Sequence, residues 1–204
     1  DANSCTGVKS YSIVISAPGG NVVTPVGGTV CITPAHPCLT VPVNIARTDV
    51  TGMRLFHIDF SLSANLQLCG PTGSNVLEGT YLSSVNPSTT FFVLDNGGGS
   101  YTADGTINGT PCGATAASGN LFNIKVTNSG GSGTGTITVT SVVLRDCSNI
   151  NITPATAGPA ALLTIDTAPV SVAAITTPQT VVELSLLTIT PSVTLTSCAT
   201  GPVT

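Results

Sequence analysis

Large apolar residues recur at every second position in several short segments of this chain, and this spacing limits the folds open to it. Between positions 55 and 62 the apolar set is Phe56, Ile58, Phe60 and Leu62. The same pattern is found in segments 10–16, 39–45, 121–126 and 137–144. A two-residue period is that of a β-strand with one buried face, whereas an amphipathic helix repeats every 3.6 residues. Pro42 interrupts segment 39–45 and cannot donate to a ladder, so this strand is predicted to lie at a sheet edge or to carry a bulge.

Turn-forming residues separate these segments at short intervals. The chain has 22 glycines and 14 prolines among 204 residues, and helix signals are nearly absent. Residues 89–95, Asn96–Gly99 and 101–108 are predicted to form a hairpin with a glycine-rich turn. The glycine run 130–135 is predicted to be a loop, and a strand at Leu162–Ile165 closes this part of the chain. About nine strands before residue 167 predict an all-β fold, an antiparallel β-sandwich of the jelly-roll kind.

Charge is scarce, which excludes several classes of partner. Only 7% of the residues are charged, five residues are Lys or Arg, and the formal net charge is −4. Neither nucleic acid nor an anionic membrane surface is an expected partner, because both require a basic patch. No apolar run reaches the ~18 residues of a membrane span. The remaining surface of Thr, Ser, Asn and Gly opposes self-association weakly, so it suits either an assembling protein or an ordinary secreted β-protein.

Seven cysteines are spread along the chain without a C-x-x-C pair, namely Cys5, Cys31, Cys38, Cys69, Cys112, Cys147 and Cys198. Because only two histidines are present, a zinc site is poorly supported. Scattered cysteines in such a chain instead predict disulfides formed in an oxidising, extracellular compartment. Their connectivity does not follow from the sequence. An odd number leaves one thiol over, so Cys5 and Cys198 are candidates for a link between subunits, and a single buried free cysteine is the alternative.

The chain carries no catalytic motif, and we predict that it is not an enzyme. The glycine run 130–135 lacks the Lys-Ser/Thr ending of a phosphate loop, and no G-x-S-x-G sequence is present. His57 and Asp59 lie on one face of a predicted strand, about 7 Å apart, which is the spacing of a polar surface pair. The nine Asp and Glu residues are spread singly and mark no pair of opposed catalytic carboxylates.

Oxygen-rich turns are the candidate ligands for Ca²⁺, and no other cofactor is expected. These turns contain Asp95–Asn96, Asp104 with Asn108, and Asp146 with Asn149. None matches the EF-hand pattern, and ordinary Asx turns explain the same residues.

Two N-glycosylation sequons are present, Asn108-Gly109-Thr110 and Asn151-Ile152-Thr153. Asn86 begins no sequon, because Pro87 follows it. Use of Asn108 or Asn151 as a glycan acceptor depends on the organism.

The strand motifs up to about residue 166 follow an order that one known family shares. The motifs are Val41–Ile45, Gly52-Met53, Phe56–Leu62, Ser118–Ile124, Val142–Asp146 and Leu163–Asp166. On these motifs, residues ~10–166 resemble a cohesin-like, carbohydrate-binding-module-like β-sandwich. The resemblance implies an extracellular, non-catalytic module, since the best known cohesins bind dockerin modules in cellulase assemblies. It implies no particular binding residues, because no short motif marks them.

Residues 167–204 are predicted to be an extension of β-strands that follows a sandwich at 1–166. Composition shifts at Thr167-Ala168-Pro169. Ala168-Pro169-Val170 and Leu186–Thr190 are similar to the opening strands of an Ig-like or cadherin-like repeat, which needs about 100 residues in full. From Leu187 to Thr196 the two-residue period returns, with an apolar face of Leu187, Ile189, Val193 and Leu195.

A strand with no domain of its own must bury its apolar face elsewhere. We therefore predict a secreted structural protein of the cell surface, in which this strand adds to a neighbouring copy and builds a filament. The alternative is a recognition module that binds another extracellular protein of the dockerin type, or a carbohydrate. In that case the extension packs on its own sandwich or is the stub of a further domain.

Overall fold

The computed structural model describes residues 20–28, 31–172, 193–196 and 198. Within these ranges the chain forms thirteen strands and two single-turn helices. In chain order they are β1 (Asn21–Pro25), β2 (Cys38–Ala46), β3 (Met53–Leu62), β4 (Leu66–Leu68), α1 (Thr72–Asn75), β5 (Val76–Glu78), α2 (Thr80–Ser83), β6 (Thr89–Gly97), β7 (Ser100–Ile107), β8 (Ser118–Asn128), β9 (Gly133–Asp146), β10 (Ala155–Ala157), β11 (Ala161–Ile165), β12 (Val170–Val172) and β13 (Val193–Leu195). Neither four-residue helix of this described part is long and apolar enough to cross a membrane.

Eleven of the strands form two sheets packed face to face. One sheet has the order β10-β1-β2-β8-β4, with β5 also pairing with β8, and the other has the order β11-β9-β3-β7-β6. Among the named strand pairs only β1–β10 is parallel. The core lies between the sheets, where the rings of Phe56 and Phe60 contact Phe122 of the opposite sheet with centroids 6.1 and 5.6 Å apart. The predicted all-β antiparallel sandwich is confirmed.

The predicted strands have their counterparts in the structure, but their number was underestimated. Segments 39–45, 55–62, 121–126, 137–144 and 162–165 lie within β2, β3, β8, β9 and β11. Four further strands were not predicted: β1, and the strands β4, β5 and β10, which have three residues each and are too short to show a period. Segment 10–16 lies outside the described residues.

The predicted hairpin is confirmed as β6 and β7, whose turn places Gly97, Gly98 and Gly99 at positive φ. The glycine run was only partly interpreted correctly, because the loop covers 129–132 and β9 begins at Gly133. Gly135 is buried in β9, and a Cβ there would lie 2.6 Å from the Leu66 Cγ atom. Glycine at this position is therefore a requirement of packing and not of a turn.

Pro42 lies in an internal strand, which corrects the prediction of a sheet edge. β2 pairs with β1 on one side and with β8 on the other, and its register with β8 shifts between Val43 and Asn44, as the bulge alternative predicts. The β1–β2 register ends at Pro25, and beyond it the Val26 N–H donates to the Pro42 carbonyl at 2.8 Å. The backbone N and O atoms of one strand residue point to the same side, so the Pro42 nitrogen, which carries no hydrogen, also points towards β1. Because β1 ends there, the absent N–H removes little of the hydrogen-bond ladder.

Arg47 follows β2 and joins distant parts of the chain. Its side chain is 0% exposed, and its five N–H groups donate to Asn21 Oδ1, Tyr81 Oη, Ala114 O, Asp49 Oδ1 and Thr51 O. Burial alone would raise the pKa of Asp49, but hydrogen bonds from Asn21 and the Thr51 N–H, together with the charge and hydrogen bond of Arg47, hold that pKa below its ordinary value. Buried arginines are rare unless they are paired in this way.

The C-terminal strands form a separate two-stranded sheet that a disulfide connects to the sandwich. β12 and β13 pair antiparallel, and Cys198 beyond them bonds Cys31. The neighbouring Ile32 N–H donates to Thr164 O at 2.9 Å, and Ile32 bridges Ile165 in parallel. The connection between β1 and β2 thus covers part of the β11 edge. The domain boundary at residue 167 stays a prediction.

Candidate functional site

The candidate site is the solvent-facing side of the five-stranded sheet. In β3 the side chains of Phe56, Ile58 and Phe60 are fully buried, so the residues between them point away from the core. The strand register aligns these outward residues in rows across β6, β7, β3 and β9. Two adjacent rows, which together we call the outer face, contain Phe92, Asp104, His57 and Val143, and Leu94, Thr102, Asp59 and Ser141.

His57 lies between two carboxylates at the centre of the outer face. Its Nδ1 is 2.8 Å from Asp104 Oδ1, and its Nε2 is 3.8 Å from Asp59 Oδ1. The Thr102 hydroxyl donates to Asp59 Oδ1 at 2.5 Å, and the Asn96 amide donates to Thr102 Oγ1 at 3.0 Å. The Thr102 hydroxyl therefore donates to the Asp59 carboxylate and not to the His57 imidazole. In a nucleophile activated by a general base, the hydroxyl would donate to the imidazole.

Exposed apolar side chains lie on one side of this polar centre, and a depression of mixed polarity opens at the centre itself. Phe92 and Leu94, on edge strand β6, are 57% and 49% exposed, while their neighbours along the strand pack against the core. A shallow depression of about 350 Å³ extends from the centre towards β9 and is lined by Leu55, His57, Asp104, Val143, Arg145 and Asn149. The outer face thus offers apolar contact area on β6 beside a hydrogen-bonding centre.

The sequence predicts His57 and Asp59 as a pair, but it offered Asp104 only as a candidate calcium ligand and did not place Phe92 or Leu94 beside them. Asp104, the closer partner of the imidazole, lies 47 residues away, and no sequence pattern reports such a register. A signal for Phe92 and Leu94 was present, because four consecutive apolar residues on a strand leave alternate ones on the outward side.

Six of the seven cysteines form three disulfides within the chain: Cys31–Cys198, Cys38–Cys69 and Cys112–Cys147. The prediction of disulfides is confirmed. The proposed link between subunits does not hold for Cys198, which bonds its own chain. Cys5, the other candidate, lies outside the described residues.

The candidate calcium ligands at two turns accept backbone hydrogen bonds. Asp95 Oδ1 accepts the Gly97 N–H at 2.8 Å, and Asp146 Oδ1 accepts the N–H groups of Ser148 and Ile150 at 2.8 Å each. These are Asx-type turns. In the part of the chain that the structure describes, no group of three or more His, Cys, Asp or Glu side chains is placed to hold a metal ion.

The other candidate residues stay predictions. The glycan acceptors Asn108 and Asn151 are both exposed. Of the proposed donor strand, Leu187 and Ile189 lie outside the described residues. The described remainder, Val193–Leu195, pairs with β12 of the same chain.

Solved structures with this architecture share little sequence with the chain. A non-cellulosomal cohesin from the hyperthermophilic archaeon Archaeoglobus fulgidus is 17% identical, with a TM-score of 0.53 over 72% of this chain and 91% of that one. The seventh ScaB type I cohesin from Pseudobacteroides cellulosolvens is 12% identical, with a TM-score of 0.57 over 80% and 100% of the two chains. The cohesin of the Clostridium thermocellum Coh-OlpC–Doc435 complex is 11% identical, with a TM-score of 0.56 over 76% and 99%. The chain has the cohesin-like β-sandwich fold.

The expected cohesin-like fold is therefore confirmed, on structure and not on sequence. No family model and no curated protein matches the chain. At these identities the likeness shows the fold alone, and a fold by itself does not determine function.

Proposed function

We propose that this chain is a non-catalytic extracellular module that binds a protein partner of the dockerin type through the outer face. The observation that carries the proposal is the exposure of Phe92 and Leu94 beside the hydrogen-bonded centre of His57, Asp59 and Asp104. A protein interface combines an apolar core with polar groups that fix orientation, and the outer face has both. Three disulfides fit an oxidising compartment outside the cell.

The apolar part of the outer face is large enough to contribute measurable affinity. A phenylalanine offers roughly 150–250 Å² of surface, so the exposed part of Phe92 is on the order of 100 Å². At about 25 cal/mol per Å², covering it would contribute up to about 2.5 kcal/mol, and Leu94 somewhat less. Side chains of this kind form the few strong contacts of most protein interfaces.

The similar structures support a protein partner. The Clostridium thermocellum cohesin described above is in a type I cohesin–dockerin complex, and a further match, CaCohA2, is in complex with the dockerin CaDoc0917. That cohesin is 19% identical to this chain, with a TM-score of 0.54 over 71% of it. A dockerin-type partner is thus our proposal for this chain by analogy of fold.

The filament hypothesis has less support. β13 pairs with β12, and Cys198 bonds Cys31, both within one chain. These contacts hold the described part of the extension to its own sandwich. Light scattering of the purified protein would decide between the two hypotheses, since a filament subunit polymerises and a recognition module does not.

Calorimetric titration with dockerin modules encoded in the same genome tests the proposal. We expect at least one to bind, and we expect the Phe92→Ser/Leu94→Ser variant to bind at least about 30-fold more weakly, from a loss of about 1 kcal/mol or more per side chain. A matched control is Val26→Ser/Val50→Ser, which changes two exposed apolar residues in loops, 42% and 82% exposed, and should bind as the wild type does. Binding to soluble glycans but to no dockerin, or equal affinities of the Phe92→Ser/Leu94→Ser variant and the wild type, would contradict the proposal.

A further inference from the structure

The Cys31–Cys198 disulfide closes most of the protein into one covalent ring. The two residues are 167 positions apart in sequence, yet their Cα atoms are 5.7 Å apart. The ring contains every strand from β2 to β13, including the whole five-stranded sheet, and both other disulfides. Of the described strands only β1 precedes it.

Such a ring changes the path that a pulling force takes through the molecule. Tension applied to the two ends of a chain follows the covalent backbone, and a disulfide that closes a ring offers a path of less than 6 Å around it. The strands inside the ring are held by hydrogen bonds and packing, which separate long before a covalent bond stretches. With the disulfide in place, however, force reaches them only through β1, which precedes the ring and pairs with β2 and β10 inside it. Once β1 is detached, the tension passes through the disulfide and the remaining strands bear none.

We infer that the Cys31–Cys198 disulfide carries the tension applied to the two ends of this chain, so that β1 alone of the described strands is pulled away and the strands inside the ring stay folded. The inference does not depend on the partner proposed above, and it holds for any ligand that requires a folded outer face.

The contacts around the disulfide fit this role. The Ile32 N–H donates to Thr164 O, and the Asp166 N–H donates to Ile32 O, both at 2.9 Å, so the residue after Cys31 is fixed to the end of β11. Cys198 is buried. β11 is the edge of the five-stranded sheet opposite β6, and four strand spacings of about 4.8 Å separate the two. The edge to which the segment after Cys31 is fixed is therefore roughly 19 Å from the edge that carries the exposed apolar residues.

The alternative is that this disulfide only stabilises the fold, by reducing the conformational entropy of the unfolded chain. The two roles lead to different expectations. A purely stabilising disulfide would raise the free energy of unfolding in the absence of load, but that role alone does not determine how far the molecule extends under force. The length that the molecule gains when pulled distinguishes the two roles.

The test is single-molecule pulling of the 204-residue chain, held by peptide tags at both ends that use no cysteine. For the oxidised protein we expect release of segment 20–31, which contains β1, to add about 40 Å, at up to 3.6 Å for each of its roughly twelve residues. For Cys31→Ser/Cys198→Ser we expect about 400 Å, because about 110 residues then lie outside the two remaining disulfide rings. The expected difference is about tenfold.

A matched control removes a different disulfide. Cys38→Ser/Cys69→Ser leaves the large ring closed and should still gain only about 40 Å. If the Cys31→Ser/Cys198→Ser variant does not fold, adding a phosphine reductant to the tethered, folded wild type gives the same comparison, with a gain of about 600 Å once all three disulfides open. Gains of hundreds of Å in the oxidised wild type, or equal gains before and after reduction, would overturn the inference.

Discussion

Replacing Arg47 by methionine keeps a long side chain in place and removes all five of its hydrogen bonds. Two acceptors would keep other partners, since Ala114 O also accepts the Met53 N–H at 2.8 Å, and the Tyr81 hydroxyl donates to Ala116 O at 2.7 Å. Asn21 Oδ1, on a residue that is 1% exposed, would lose its bond with the guanidinium.

The expected cost follows from these losses. A buried acceptor without a donor costs about 1–3 kcal/mol, and removing one partner of a buried charged pair costs about 3–5 kcal/mol. Asp49 is partly exposed and keeps the Thr51 N–H, so water can replace part of its lost interaction. We therefore expect Arg47→Met to lower the free energy of unfolding by about 3–5 kcal/mol, and Arg47→Lys by less, because a lysine keeps the charge but not the planar fork.

Urea unfolding followed by far-ultraviolet circular dichroism measures this difference, because the chain has no tryptophan to report by fluorescence. Arg145→Met is the matched control. Arg145 makes one exposed hydrogen bond, to Asn149 at 3.1 Å, and its loss should cost under about 1 kcal/mol. A loss below about 1 kcal/mol for Arg47→Met, or equal losses for both variants, would refute the assignment of Arg47 as the residue that joins these segments.

Two further predictions concern pH and packing. The pKa of Asp49 is lower in the folded than in the unfolded state, so its stabilising contribution is present above about pH 4 and is lost as the pH falls through the folded value. Between about pH 5 and pH 2.5 the wild type should therefore lose more stability than Asp49→Asn, and parallel pH profiles would contradict this. Gly105→Ala should lower the free energy of unfolding by about 1–3 kcal/mol, because the new methyl group would overlap the buried Phe56 ring. Gly131→Ala is its control, because a Cβ at this position would have no neighbouring atom within 4 Å beyond the adjacent residues. It should change stability by less than about 0.5 kcal/mol.

Local sequence patterns were sufficient to predict strands whose two faces differ in burial. The alternation around Phe56 and Phe60 predicts β3, and Asn96–Gly99 predicts the turn of the β6–β7 hairpin, because period and turn chemistry are properties of neighbouring residues. The same reasoning failed at Pro42. Whether a missing N–H is costly depends on how far the adjacent strand extends, and β1 ends at Pro25.

The candidate site was predictable only in part, because some of its contacts join strands that are far apart in the sequence. His57 and Asp59 share a face because they are two residues apart on one strand. Their connection to Asp104 and Thr102 depends on the register between β3 and β7, which hydrogen bonds between strands determine. The exposure of Phe92 depends in turn on β6 being the last strand of its sheet.

The sequence by itself determined the class of this protein: an all-β chain with little charge, glycine-rich turns and cysteines suited to disulfides. These features follow from residue type and local period, which carry no information on which strands are neighbours. Only the tertiary structure decided that Cys198 bonds Cys31, that β13 pairs within its own chain, and that two separate strands supply the carboxylates around His57. Each of these depends on distances between residues far apart in sequence, and such distances are defined only once both sheets have packed on a common core.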